Sequence, residues 1–238
     1  MRPFKIKLFA DGAELEAMLA LYRNSLIAGF TTNPTLMRKA GITDYAGFAR
    51  QVIAAIPDRP VSFEVFADDI DDMIMQGREI ARWGANVNVK IPVTTTTGEY
   101  TGRVIETLSD RGIMLNVTAI MTLAQVEQVA RSLRGEAPHI VSVFAGRIAD
   151  TGIDPVPHMV ACREALRAIA PRAQLLWASP RELLNVYHAD EAGCDIITAT
   201  PDILAKLQLG GKDLAEYSLE TVQMFYRDAT AAGFKIDA

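Results

Sequence analysis

Eight short apolar runs that alternate with longer stretches of helical spacing constrain this chain more than any other feature. The runs are KIKLFA, IAGFTT, VSFEVF, VNVKIP, IMLNVTAI, HIVSVFA, QLLWAS and CDIITAT. Between them lie segments such as DDMIMQGREIARWG, TGRVIETLSDRG, TLAQVEQVARSL and PHMVACREALRAIA, with apolar residues at helical intervals. Strands alternating with helices specify βαβ units and a parallel sheet. An open doubly wound sheet usually has fewer strands, so the count points to a closed (β/α)8 TIM barrel. The last segments, PDILAKLQL and SLETVQMFYRDATAA, are expected to complete it and add a C-terminal helix. No linker, low-complexity tract or internal repeat interrupts the 238 residues, which implies a single barrel domain over residues 1–238.

Composition removes several function classes. Hydrophobic residues make up 50% and charged residues 22%, enough for a sizeable core and against disorder. The net charge of −5 argues against nucleic acid as a partner, because a phosphate backbone demands a basic surface. No run approaches the ~18 apolar residues of a membrane helix. The start, MRPFKIKLFADG, lacks the apolar core and cleavage-like site of a signal peptide, so a cytoplasmic location without a membrane partner is expected. Cys162 and Cys194 lie far apart and outside any CxxC, and are expected to be reduced and structural. His139, His158 and His188 form neither HxH nor HExxH, and both GxxxxGK[ST] and GxGxxG are absent. No metal and no cofactor is expected. The acidic ADDIDDM lacks metal-ligand spacing and is expected to open a helix, where carboxylates suit the dipole.

Side-chain parity then locates candidate chemistry. In NVNVKIP, Val87, Val89 and Ile91 share one face of a strand, while Asn86, Asn88 and Lys90 share the other. Outward residues of a barrel strand pack on helices and must be apolar, whereas inward residues near the C-terminal mouth form the active site. Asn88 and Lys90 therefore point inward, with Lys90 close to the mouth. By the same reading Glu64 shares a face with Ser62, and Asn116 shares one with Thr118. Asp11, Asn33, Ser142, Arg147, Ser179 and Arg181 lie within or just after other strands.

A lysine in that position supports covalent chemistry. An amine deprived of hydration is disfavoured in its charged form, and a neutral amine forms a Schiff base with a carbonyl. The iminium is an electron sink that permits carbon–carbon cleavage without metal or organic cofactor. A carboxylate must move the protons, and Asp11 and Glu64 are candidates. The plainer alternative is a structural lysine paired with one of them. Arg147, Ser179 and Arg181 could hold a phosphate through arginine's planar donor fork. Their plainer alternative is a pair of surface arginines in salt bridges.

Together GFTTNPTL, VKIPVT, GIMLNVTAI, VSVFAGRI and WASPREL resemble the transaldolase family, which includes fructose-6-phosphate aldolase. The resemblance spans Asp11 to about Leu207, and the order and spacing of the motifs make it specific. It implies a class I aldolase barrel, consistent with the strand count. By this resemblance Lys90 is the Schiff-base lysine and Asp11 the acid/base of carbon–carbon cleavage. Glu64 and Thr118 match the pair that positions a catalytic water. Asn33, Asn116 and Ser142 surround the substrate hydroxyls and the Schiff base, and Thr32 and Phe144 join them as substrate-binding residues. Arg147, Ser179 and Arg181 match the phosphate site.

Two positions separate the subgroups. Transaldolases carry glutamate at the Glu64 position and phenylalanine at the Phe144 position, where fructose-6-phosphate aldolases have glutamine and tyrosine. The chain departs from the family at TTTTGEYTG, at SVF in place of SPF, and at FADGAE, all near the mouth. The resemblance thus implies transfer of a dihydroxyacetone unit between sugar phosphates, as in the pentose phosphate pathway, by a homo-oligomer. Two alternatives stand beside it: an aldolase-type lyase that releases dihydroxyacetone, and a catalytically silent sugar-phosphate-binding barrel.

Overall fold

The computed structural model describes residues 4–236; residues 1–3 and 237–238, the two ends of the expected domain, lie outside the described residues. Eight parallel strands close into a barrel in sequence order, with β8 beside β1. They are β1 (Lys7–Asp11), β2 (Ile27–Thr31), β3 (Val61–Glu64), β4 (Val87–Pro92), β5 (Leu115–Ile120), β6 (Ile140–Val143), β7 (Gln174–Trp177) and β8 (Ile196–Ala199). Helices α1 (Leu15–Tyr22), α2 (Pro34–Lys39), α3 (Tyr45–Ala55), α4 (Ile70–Ala81), α5 (Gly102–Ser109) and α6 (Leu123–Ser132) connect the first six. The remainder are α7 (Ala145–Asp150), α8 (Pro155–Ile169), α9 (Leu184–Glu191), α10 (Pro201–Ala205) and α11 (Leu214–Ala231). The expected (β/α)8 TIM barrel is the fold. PDILAKLQL, however, divides into α10 and a 3-10 turn, Lys206–Leu209.

Local chemistry sets the helix starts. Asp69 accepts from the backbone N–H groups of Asp71 and Asp72, so the acidic ADDIDDM caps and opens α4. Thr122 and Gln125 form a reciprocal capping box on α6. Asp154 caps α8 with Pro155 in its first turn.

Two apolar regions divide the core. Val87, Val89 and Ile91 are buried with Phe63, Val104 and Leu108 in the large cluster between sheet and helices. Phe9, Ile140, Leu176, Ala178 and Ile196 form a separate cluster on the opposite strand faces, inside the barrel. Phe9 reaches so far across that a Cβ on Gly29 would sit 2.5 Å from its ring. A glycine at that point of β2 is what admits one large ring where several medium side chains would otherwise pack. Cys162 and Cys194 are free and buried, and burial pushes both thiols up to about 12.

Helix α11 behaves differently from the rest. It contains no buried residue, and Leu214, Leu219, Val222, Phe225 and Tyr226 are all exposed. Among the described residues no helix is long and apolar enough to cross a membrane.

At the other end of the barrel, His139 immediately precedes β6 and is buried. Its Nδ1 accepts the Leu115 N–H at 3.2 Å, and its Nε2 lies 3.3 Å from the Arg134 carbonyl. A carbonyl only accepts, so Nε2 carries the proton and the ring is neutral. Burial holds its pKa below the ordinary 6.5, against a smaller opposing effect of the Arg134 carbonyl. A folded-state value below the unfolded one makes this stabilisation complete above pH 6.5 and progressively lost as pH falls through the folded value. Urea midpoints of the wild type should therefore fall on acidification below about 6.5, and His139→Gln should show a shallower fall.

Candidate active site

Strand register assembles the polar residues. Glu64 pairs with Lys90 across β3 and β4, Lys90 with Asn116 across β4 and β5, and Pro92 with Thr118. Asp11 lies opposite Thr31 across β1 and β2. Inward side chains from these positions converge at the C-terminal mouth on a cavity of about 420 Å³. Asp11, Asn33, Glu64, Lys90, Asn116, Thr118, Ser142, Phe144, Arg147 and Ser179 all line it. Thr32 and Arg181 do not.

Lys90 is 6% exposed, and its Nζ donates to the Thr32 carbonyl at 2.8 Å while lying 3.2 Å from Glu64 Oε2. The alternative of a lysine paired with a carboxylate is therefore the resting geometry, and it places a proton acceptor on the amine. The Thr32 side chain is buried and donates to the Ser62 carbonyl, so this residue meets Lys90 through its backbone. Tyr45 of α3 fixes the end of β3. Its hydroxyl donates to the Glu64 carbonyl at 2.9 Å and accepts the Glu64 N–H at 2.7 Å. Edge-on contacts with Phe63, Phe66 and Trp83 hold the Tyr45 ring.

Asp11 faces Lys90 from across the cavity. Thr31 donates to its Oδ1 at 2.8 Å and Asn33 Nδ2 to its Oδ2 at 3.2 Å. Loss of hydration pushes its carboxyl above the usual 3.8; the Lys90 charge and these two hydrogen bonds oppose that rise, and the Glu64 charge adds to it. Asn33 has a second task, since its Oδ1 caps α2 by accepting the Leu36 N–H. A buried chain orients the next amide: Ser142 donates to Asn116 Oδ1 at 2.6 Å, and Asn116 Nδ2 donates to Ser62 at 3.1 Å. The two serines thereby hold the Asn116 amide from both sides.

The two arginines differ. Arg147 lines the cavity with its guanidinium 5.4 Å from the Phe144 ring centre. Arg181 sits on the rim and forks onto both oxygens of Asp150, at 2.9 Å to Oδ1. That contact holds the Asp150 carboxyl below the usual range. Arg181 thus takes the salt-bridge geometry considered from sequence, and ties the end of α7 to the segment after β7. Gly146 and Ser179 pack beside it, so close that a Cβ on Gly146 would lie 1.5 Å from the Ser179 carbonyl oxygen. Ser179 has φ +59°, and Ala119 at the β5 irregularity has φ +63°. Both left-handed residues line the cavity, where stored backbone strain is commonly found.

Sequence reasoning missed Thr31, Thr198 and Ala119 as cavity residues. Thr198 follows Ile196 at strand parity in CDIITAT, so the signal was available there. Nothing in the local sequence marks Ala119. Among the described residues no three His, Cys, Asp or Glu side chains converge as a metal site would need.

A buried amine beside one carboxylate, with a second carboxyl across a mouth of hydroxyls, amides and a cationic side chain, suits imine chemistry on a polar carbonyl compound. Comparison with known proteins identifies the family. The profile of the Transaldolase/Fructose-6-phosphate aldolase family matches residues 8–238. The chain belongs to this family, whose members are aldolase and transaldolase enzymes. Named as a probable transaldolase, a protein of Dehalococcoides mccartyi is 33% identical over 202 residues, covering 85% of this chain and 90% of its own. Another of the same name, from Ruegeria pomeroyi, is 31% identical over 232 residues, 97% of this chain and 100% of its own. Solved structures show the same barrel at low identity. Dihydrodipicolinate synthase from Rhodopseudomonas palustris matches with TM-score 0.55 at 14% identity, covering 93% of this chain and 81% of its own. 2,3-Dimethylmalate lyase matches with TM-score 0.56 at 13%, covering 98% and 86%.

The raised Asp11 carboxyl has a stability consequence. Its contribution is complete below the unfolded value of 3.8 and is lost as pH rises through the folded value. Relative to the wild type, Asp11→Asn should become more stable as pH is raised from about 4 to 7. Thermal denaturation of the two proteins across that range measures it; parallel curves would show that burial does not raise this carboxyl.

Proposed function

We propose that the chain is a transaldolase that moves a dihydroxyacetone unit from a ketose phosphate to an aldose phosphate through a Schiff base on Lys90. The carrying observation is the Lys90 amine held 3.2 Å from Glu64 on the wall of a cavity that Asp11 also lines. Glu64 takes a proton from the Lys90 ammonium, and the amine then adds to the ketone carbonyl. The carbinolamine hydroxyl, held by Thr118 and protonated by Glu64, then leaves as water and gives an iminium. Asp11 removes the proton from the hydroxyl beyond the scissile bond. The bond's electron pair moves into the iminium, giving an enamine, and the aldose phosphate departs. An acceptor aldehyde then takes the enamine carbon, and Asp11 returns its proton to the new alkoxide. Hydrolysis of the imine frees the product and Lys90.

Glu64 and Phe144 favour this reading over the aldolase-type lyase, since a carboxylate passes a proton through bound water more readily than an amide does. The exposed apolar side chains of α11 support a homo-oligomer, and the barrel supports reading the whole chain as one catalytic domain.

Borohydride with fructose 6-phosphate should add mass to the peptide containing Lys90, and Lys90→Met should not be labelled or turn over. Transfer to an aldose phosphate should far exceed release of free dihydroxyacetone; comparable rates would replace the transferase by the lyase, and label on another lysine would remove the mechanism.

The arginines should separate kinetically. Loss of a charge-assisted phosphate contact costs about 10- to 100-fold in binding. Arg147→Ala should raise KM for phosphorylated donors by that much while sparing dihydroxyacetone itself. Arg181→Ala should have the smaller effect, because Asp150 already engages its fork. Initial-rate kinetics with both donor types decides it, and an equal effect on both donors would place the phosphate elsewhere.

A further inference from the structure

Beyond the groups that touch substrate in this reading, β8 contributes a threonine with an unassigned contact. Thr198 Oγ1 lies 2.5 Å from Thr31 Oγ1, and both residues are buried and line the cavity. Thr31 is the residue that meets Asp11 Oδ1 at 2.8 Å.

Counting protons orders these contacts. A threonine hydroxyl has one proton to donate. An ionised carboxylate only accepts, so Thr31 gives its proton to Asp11. The proton in the short contact must then come from Thr198. Two hydroxyls thus point the same way, from β8 through β2 to the carboxylate on β1. Hydrogen bonds aligned in this way polarise one another and strengthen the last bond of the chain.

We propose that Thr198 is a positioning residue: its hydroxyl turns the Thr31 proton toward Asp11 and so keeps that carboxylate ready to accept the proton released in carbon–carbon cleavage. This rests on the acid–base role given to Asp11 above. The other groups facing Asp11 are Asn33, which donates to Oδ2, and the charges of Lys90 and Glu64. Lys90 and Asn33 favour the ionised form, while Glu64 and the loss of hydration oppose it. Thr198 adds to the favourable side without touching the carboxylate. Protonation of Asp11 at Oδ1 removes the reason for this order, because the acid can then donate to Thr31 and Thr31 to Thr198. The pair of hydroxyls is able to follow the proton in both directions of the reaction.

The test reads Asp11 without substrate. In protein carrying 13C-carboxyl aspartate, the Asp11 resonance is the one absent from Asp11→Asn. Its titration midpoint should rise by roughly one unit or more in Thr31→Val, which removes the bond to the carboxylate. It should rise by a few tenths of a unit in Thr198→Val and in Thr198→Ala, where only the cooperative support is lost. Thr198→Ser keeps the hydroxyl and should restore the wild-type midpoint. The acidic limb of kcat should move to higher pH in the same order. A midpoint unchanged in either Thr198→Val or Thr198→Ala, or raised equally in Thr198→Ser, overturns the proposal. Should the midpoints move as stated while the wild type cleaves no ketose phosphate, the hydroxyl chain stands and the transaldolase reading falls.

Discussion

A buried lysine can be tolerated only where a carboxylate compensates its charge and the backbone supplies the remaining partners; here that carboxylate is the half-buried Glu64. The register between β3 and β4 provides this, with Glu64 opposite Lys90. Their Coulombic attraction does not by itself repay the loss of hydration, which is why the Thr32 carbonyl on the amine matters. Removing Glu64 would leave the Lys90 charge buried without its counter-ion, at a cost of up to about 3–5 kcal/mol. That penalty makes the strand register and the chemistry one constraint. A slip of one residue would turn Lys90 toward the helices and Val89 or Ile91 into the cavity. Tyr45 adds to the security by taking both backbone groups of Glu64, so a helix outside the barrel fixes a carboxylate inside it.

Period-two alternation made much of this legible in the sequence. It divided VNVKIP into helix-facing valines and an inward lysine, and the structure shows that division. The same rule found Glu64, Asn116 and Thr118, because an inward polar residue stands out in an apolar strand. Parity says which way a side chain points, but not what it meets after the loop that follows. Arg181 lies beyond β7 in WASPREL, and only the packed fold shows Asp150 of α7 occupying its fork. Thr31 and Thr198 met the parity rule but drew no notice, because threonine is an ordinary strand residue. Their importance comes from a contact between β2 and β8, far apart in sequence and both beside β1. PDILAKLQL reads as one helix by its apolar spacing, and the tightening into a 3-10 turn after Ala205 leaves no mark in that spacing.

Rigidity is concentrated where the mouth joins its loops. Gly146 and Ser179 approach too closely for any side chain at the glycine, and Ser179 keeps a left-handed backbone. The Arg181–Asp150 contact spans the same two segments. Arg147 stands on the short helix that these contacts hold, so its place at the cavity is set partly by Gly146, Asp150 and Arg181, which do not line it. The family resemblance locates such residues by position; the structure shows which of them line the cavity and which contact it through other residues.

The ring of Phe9 gives the cavity a floor. Ile140, Leu176 and Ile196 pack around it in one buried apolar cluster. Among the described residues these side chains fill the barrel beneath the cavity, which opens at the mouth. For a two-substrate transfer this doorway dictates a queue. In the transfer proposed above, the first product has to vacate the passage before the acceptor can come in, while the three-carbon fragment waits inside. The tether proposed on Lys90 would answer that traffic problem, and the order of arrivals would then follow from the shape of the vessel as much as from the chemistry done in it.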